Sequence, residues 1–212
     1  MAEAPVPYRR ARLRLPAAER RLQIMEVASA MIAERGFWGM SMQDVADRCG
    51  LTVPGLLRHV GSKVGMLVAV LGQRDIEDVR SLRRQLGVGA GEVPDDWATG
   101  GPTGVDLRGL CSATMRTNAQ QPEIVQLFTV LEAEALSPSH PAHEFFVTRQ
   151  ARLVSSFAAL ADGRTDDPER LARQIVAMMD GLQIQWLRSP ENIDLVQEWE
   201  AAAEALFARL TD

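Results

Sequence analysis

Between Ser41 and Lys63 the chain reads SMQDVADRCGLTVPGLLRHVGSK, and six of its polar side chains there are candidates for recognition: Ser41, Thr52, Gln43, Arg58, His59 and Lys63. Their chemistry is recognition of a polyanion. Hydroxyl, imidazole and ammonium groups suit phosphate oxygens, which position a protein on DNA without reading sequence. A guanidinium offers two donors to a guanine edge, worth about 1–3 kcal/mol of discrimination when both are used. Thr52, His59 and Lys63 are therefore phosphate candidates, with Ser41 a helix cap that can also reach phosphate. Gln43, Val53, Pro54 and Arg58 are base-edge candidates, and Arg58 against a guanine is the strongest single assignment.

Two short helices around a sharp turn must position these groups. Met42, Val45, Ala46 and Cys49 form an i, i+3, i+4, i+7 stripe, one buried face. Ser41 is the natural N-cap, and Asp44 stands where a capping box puts its acid. Gly50 ends the helix, Leu51 turns back into the core and Thr52 caps again. Pro54 then falls in the first turn of the next helix, where a missing N–H costs little. Leu56 and Val60 face inward, which leaves Val53, Pro54, Gly55, Arg58 and His59 projecting outward.

The order of Ser41, Ala46, Gly50, Leu56, His59 and the Ser62-Lys63 pair resembles the DNA-binding segment of TetR-family transcriptional regulators, over roughly residues 20 to 70. A spaced series of caps, a small crossing residue, a turn glycine and a basic pair is more specific than a lone helix-turn-helix pattern. The family usually carries Tyr where this chain has Leu57 and often Phe where it has Val60, so one phenolic phosphate contact is missing. The resemblance implies double-stranded operator DNA as partner and an effector pocket in the body. It also implies that ligand binding tilts the long fourth helix and changes the spacing of two readers.

Composition agrees with a regulator. The chain has 212 residues, 46% apolar, and a net charge of −5, enough to bury a substantial core. Residues 1 to 74 hold eleven Lys+Arg against six Asp+Glu, and residues 75 to 212 hold twelve against twenty-two, so a basic head sits on an acidic body. The longest apolar run, Val64 to Leu71, is far below the roughly 20 residues of a membrane span. With no leader-like N-terminal stretch, cytoplasm is the expected compartment and no membrane partner is expected. Cys49 and Cys111, two and far apart, read as buried reduced thiols.

In chain order, residues 1–19 read as a basic flexible arm whose Arg9, Arg10, Arg12 and Arg14 suit a minor groove. Residues 20–65 read as the helix-turn-helix domain, and 66–212 as an effector-binding and dimerisation domain. A support helix runs from Ala17 to Arg35 with Gly36 as its stop, and Phe37 and Trp38 seal the small core. From Ser62 to about Leu86 one helix carries Met66, Leu67, Val70, Leu71, Ile76, Val79, Leu82 and Leu86, the only continuous lever between head and body. Residues 87–104 read as a loop with Trp97 docked on the body. Everything beyond is helical by period, so the fold class is all-α: an N-terminal three-helix helix-turn-helix domain followed by a helical ligand-binding and dimerisation domain.

The candidate effector residues are Met66, Val70, Met115, Phe128, Leu131, Phe146, Arg149 and Met178, each also explicable as core filling. Arg149 could meet an anionic effector or pair with Glu132 or Asp180. The last two helices, through Ile175, Met179, Leu182, Trp186, Leu195, Trp199 and Leu206, are the candidate homodimer interface, a four-helix bundle with two helices from each subunit. The same seams could instead pack within one chain. Asp180-Gly181-Leu182 also resembles the family's recurring segment. For an enzyme there is no G-x-S-x-G elbow, phosphate-binding glycine loop or H-E-x-x-H, and no cofactor is implied. His140, His143 and Glu144 are the one ligand-like cluster, at a frayed helix start. The reading is a DNA-binding regulator, a repressor released by a small molecule. The alternatives are a sensor or adaptor of the same fold with weak DNA binding and a metal-dependent helical enzyme.

Overall fold

A computed structural model describes residues 15–87 and 106–208, less the side chains of Asp78, Val79, Arg83 and Gln85. The arginines of the arm, the segment 88–105 with Trp97, and the Val79 side chain lie outside the described residues. Every regular element among the described residues is helical. The order is α1 (Ala17–Gly39), α2 (Met42–Arg48), α3 (Val53–Val60), α4 (Lys63–Leu86), α5 (Leu107–Ala119), α6 (Pro122–Glu134), α7 (His143–Ala161), α8 (Pro168–Arg188) and α9 (Leu195–Phe207).

Short-range chemistry sets most of these ends. Asp106, Asp167 and Asp194 cap α5, α8 and α9 by accepting backbone N–H groups two or three residues on. Pro122 and Pro168 occupy first turns, where no N–H is needed. No single described helix is long and apolar enough to cross a membrane.

Two apolar cores organise the molecule. The first gathers α1, α2 and α3 with Met66, Leu67, Val70 and Leu71 of α4. It continues into Leu127, Leu131 and Ala135 of α6 and its end, and on to Ala142 and Phe146. The reading head therefore shares its core with α6, and α4 is not its sole link to the body. The second core packs α5, α7, α8 and α9 with Leu82 of α4. Within it the fully buried Trp199 donates its indole N–H to the Ser112 hydroxyl at 3.0 Å, which fixes α9 against α5.

The phase of several helices differs from the simple stripe. On α4, Ile76 is exposed, whereas Leu82 is buried. On α8, Leu171, Ile175, Met179 and Trp186 all bury in the second core. Both Cys49 and Cys111 are free and buried, and burial raises the pKa of each thiol.

Candidate nucleic-acid interface and effector cavity

The helix-turn-helix is built by its caps. The Ser41 hydroxyl accepts from the Asp44 N–H at 3.1 Å and the Thr52 hydroxyl from the Gly55 N–H at 3.2 Å. Ser41 also holds the Asp44 carboxyl below its ordinary pKa, because hydrogen bonds donated by its hydroxyl and backbone N–H favour the charged carboxylate. Gly50 takes a φ of 65°, so α2 ends with its chain turned back toward α3. Leu56 and Val60 bury, and the recognition helix α3 lies on the head with its other face outward.

On that outer face Pro54, Leu57 and Arg58 are exposed. Arg58 makes no bond to a described residue, so its guanidinium is available to a groove. Gln43 is exposed on α2, and its amide donates to Asp47 at 2.8 Å. Val53 and His59 are only half-exposed, and Val53 packs against the head core, which corrects its outward placement. The His59 carbonyl accepts from Arg21 at 2.9 Å and the Cys49 carbonyl from Arg20 at 3.3 Å. These two α1 arginines brace the motif, a role that sequence period did not flag. Lys63, a phosphate candidate, is half-exposed, and its ammonium lies 4.6 Å from the centroid of the Phe37 ring. Desolvation there lowers its pKa, with Glu134 opposing the shift.

In the body a cavity of about 1680 Å³ opens between α4, α5, α6, α7 and α8. It exceeds the roughly 300–1,000 Å³ common for small-ligand sites. Leu110, Ile124, Val125, Phe128, Leu153, Phe157 and Val176 supply apolar wall, while Thr114, Asn118, Thr129 and Gln183 supply polar groups. Of the eight sequence candidates, Phe128 and Arg149 line it. Met66, Val70, Leu131 and Phe146 are instead buried in the head core, and Met115 in the body core. Met178 lies on the outer side of α8. The physical reason is helix phase: α6 is apolar on two sides, so Leu127 and Leu131 grip the head while Ile124 and Phe128 face the cavity.

Arg149 stacks over Phe128 at 4.9 Å and sets its Nε 3.8 Å from Asp75. Asp75, rather than Glu132 or Asp180, is thus its ion-pair partner. Burial pushes the Asp75 pKa up, opposed by Arg149 and Arg152. Asp180 is pushed up to about 6, first by burial, then by the nearby Glu132 charge, against the pull of Arg149. Asp75 carries no local sequence signal, whereas Asp180 belongs to the family-like Asp180-Gly181-Leu182 segment.

His140, His143 and Glu144 do not converge. His140 buries against Phe37 and Trp38, the His143 ring nitrogen lies 2.7 Å from the Ala135 carbonyl, and Glu144 lines the cavity. The dimer candidates divide in the same way. Ile175, Met179, Trp186, Leu195 and Trp199 are inside the body core and hold α8 and α9 to the rest of the chain, which corrects their assignment. Leu182 and Leu206 line a shallow outer groove with Gln174, Ala177, Met178, Gly181 and Gln185.

A capped helix-turn-helix head on a helical body is the arrangement of a DNA-binding transcriptional regulator. Residues 24–70 match the family described as bacterial regulatory proteins, tetR family, and residues 106–211 match the C-terminal domain of BetI-type transcriptional repressors. The chain belongs to the TetR family, whose members are non-enzymatic DNA-binding proteins. It is 40% identical over 72 residues to the transcriptional activator FasR of Mycolicibacterium smegmatis. That stretch is 34% of this chain, and the match covers about a third of the relative, 32%. In fold it is similar to a transcriptional regulator from Rhodococcus sp. Rha1, with a TM-score of 0.70 at 18% identity over 90% of this chain and 97% of that one. It is also similar to a regulator from Saccharomonospora viridis solved in complex with choline, with a TM-score of 0.68 at 17% identity over 92% and 99% of the two chains.

Proposed function

We propose that the protein is a homodimeric repressor that occupies a palindromic operator through two α3 helices and lets go when a small molecule enters the body cavity. The observation that carries this reading is the exposed, unpartnered Arg58 on a recognition helix whose start is capped by Thr52 and whose neighbour is capped by Ser41. Arg58 and Gln43 are the base-edge groups, with Pro54 beside them. Ser41, Thr52 and His59 meet phosphate. One short helix reads too few base pairs to be selective, whereas two held about 34 Å apart read both halves of a palindrome. The outer groove of α8 and α9, with Ala177, Met178, Gly181, Leu182, Gln185 and Leu206, is the face for the second copy.

For the effector we propose an amphipathic molecule with a cationic group. Arg149 pairs with Asp75 and still acts on Asp180, beside which the Glu132 charge lies at the edge of an apolar wall. The choline complex of the Saccharomonospora viridis relative is consistent with that chemistry. Gel shift of the chain against its own upstream DNA at about 50 mM salt, where phosphate contacts are weakly screened, tests the central reading. A specific band that a cationic amphiphile weakens supports it, and the absence of any specific band overturns it. In that event the exposed Leu57, which lacks a phenolic hydroxyl, favours a sensor of the same fold.

A further inference from the structure

Helix α1 breaks at Gly36, where φ is 72° and ψ is 171°, and both sides of the break are held by α6. The Ala33 carbonyl accepts from the Gln126 amide at 3.1 Å, and the Phe37 N–H donates to Glu134 Oε2 at 2.7 Å. Side chains from another helix thus satisfy backbone groups that the end of a helix leaves over. A Cβ at Gly36 would collide with the Glu134 carboxylate, so the backbone there forms a seat for it.

The same Glu134 oxygen lies 3.7 Å from Nε2 of His140, too far for a hydrogen bond. His140 is 3% exposed, and its Nδ1 accepts from the Ala142 N–H at 3.2 Å. Burial lowers its pKa, with Glu134 opposing, so the ring is neutral and its proton sits on Nε2. That Nε2 is the buried side-chain nitrogen left without a hydrogen-bond partner among the described residues. The rings of Phe37 and Trp38 stand edge-on to it at 5.3 and 5.6 Å and hold it in place. One carboxylate oxygen therefore faces two donors, one bonded and one waiting.

Helix α6 also faces the cavity through Phe128, Thr129 and Glu132, while Leu127 and Leu131 lie in the head core. We infer that Glu134 is a two-position clamp through which α6 couples the cavity to the reading head. In the position seen it holds the end of α1. A shift of less than about 1 Å that brings the same oxygen within bonding distance of His140 and away from Phe37 lengthens, and so weakens, the bond that holds the end of α1. The coupling rests on the reading of the cavity as an effector site; the clamp itself does not. Two discrete seats for one group are the bistable element that transmission between distant sites requires.

Amide hydrogen exchange on the full-length chain tests this without DNA or ligand, so failure of the DNA or effector readings leaves its outcome interpretable. Glu134→Ala should speed Phe37 exchange roughly tenfold, the effect of losing one charge-assisted hydrogen bond, with α8 and α9 amides unchanged. Ala133→Trp fills the cavity from α6 in place of a ligand. It should speed Phe37 exchange when His140 is present and not in a His140→Phe background, where the second seat is gone. Unchanged Phe37 exchange in Glu134→Ala overturns the clamp. If that variant loosens the whole chain, the Ala133→Trp pair decides, and an equal effect with and without His140 overturns the proposal.

Discussion

The reading head and the body are both made of amphipathic helices, yet they differ in how far along the chain the residues of each site lie. The head site is contained between Ser41 and Lys63, where each cap bonds an amide three residues away. The body cavity draws side chains from Asp75 on α4 to Ile184 on α8. A site of the first kind is set by local chemistry. A site of the second kind exists only once several helices have chosen their rotation about their own axes.

Variants can break or sharpen this contrast. The largest effect is expected where head and body meet. Gly36→Val forces a β-branched residue into positive φ and into the Glu134 carboxylate, and should cost roughly 2–4 kcal/mol in urea unfolding. In the head, Arg58→Ala should remove about 1–3 kcal/mol of base discrimination per half-site, seen as relaxed preference among selected fragments while nonspecific affinity holds. Ser41→Ala, a purely local loss, should cost about 1 kcal/mol in the same unfolding experiment. The smallest effect belongs to the cavity. The Asp180 pKa is raised in the folded chain, so folding stability falls as pH rises from about 4 through about 6, and the penalty is full above that. Asp180→Asn should flatten the pH dependence in that window and leave the chain slightly more stable at neutral pH. A steeper slope in the variant would reverse the assignment.

The same contrast explains what the sequence made legible. Ser41, Gly50, Thr52 and Pro54 act on their nearest neighbours, and each does in the structure what its type and position predict, whereas Gly36, expected as a stop, instead kinks α1, which runs on to Gly39. The all-α architecture and the helix breaks at Pro122, Pro168 and Ser189-Pro190 follow from the same signals. The body sites were less legible because a helix packed on two sides carries two apolar stripes. On α8 the regular stripe of Ile175, Met179 and Trp186 is the inward one, and the outward face is written in Ala177, Met178, Gly181 and Gln185, which keep helical spacing but carry too little apolar character to stand out. Glu134 was hidden for a different reason: its partners Phe37 and His140 come from other elements, and nothing in its own neighbourhood points to it.

The central claim is that two copies present two α3 helices to one duplex. Selection of bound fragments from random DNA tests it most directly. The account predicts enrichment of an inverted repeat whose half-site centres lie about one helical turn, roughly 34 Å, or a whole number of turns apart. Enrichment of a single asymmetric site, or none above background, would contradict it.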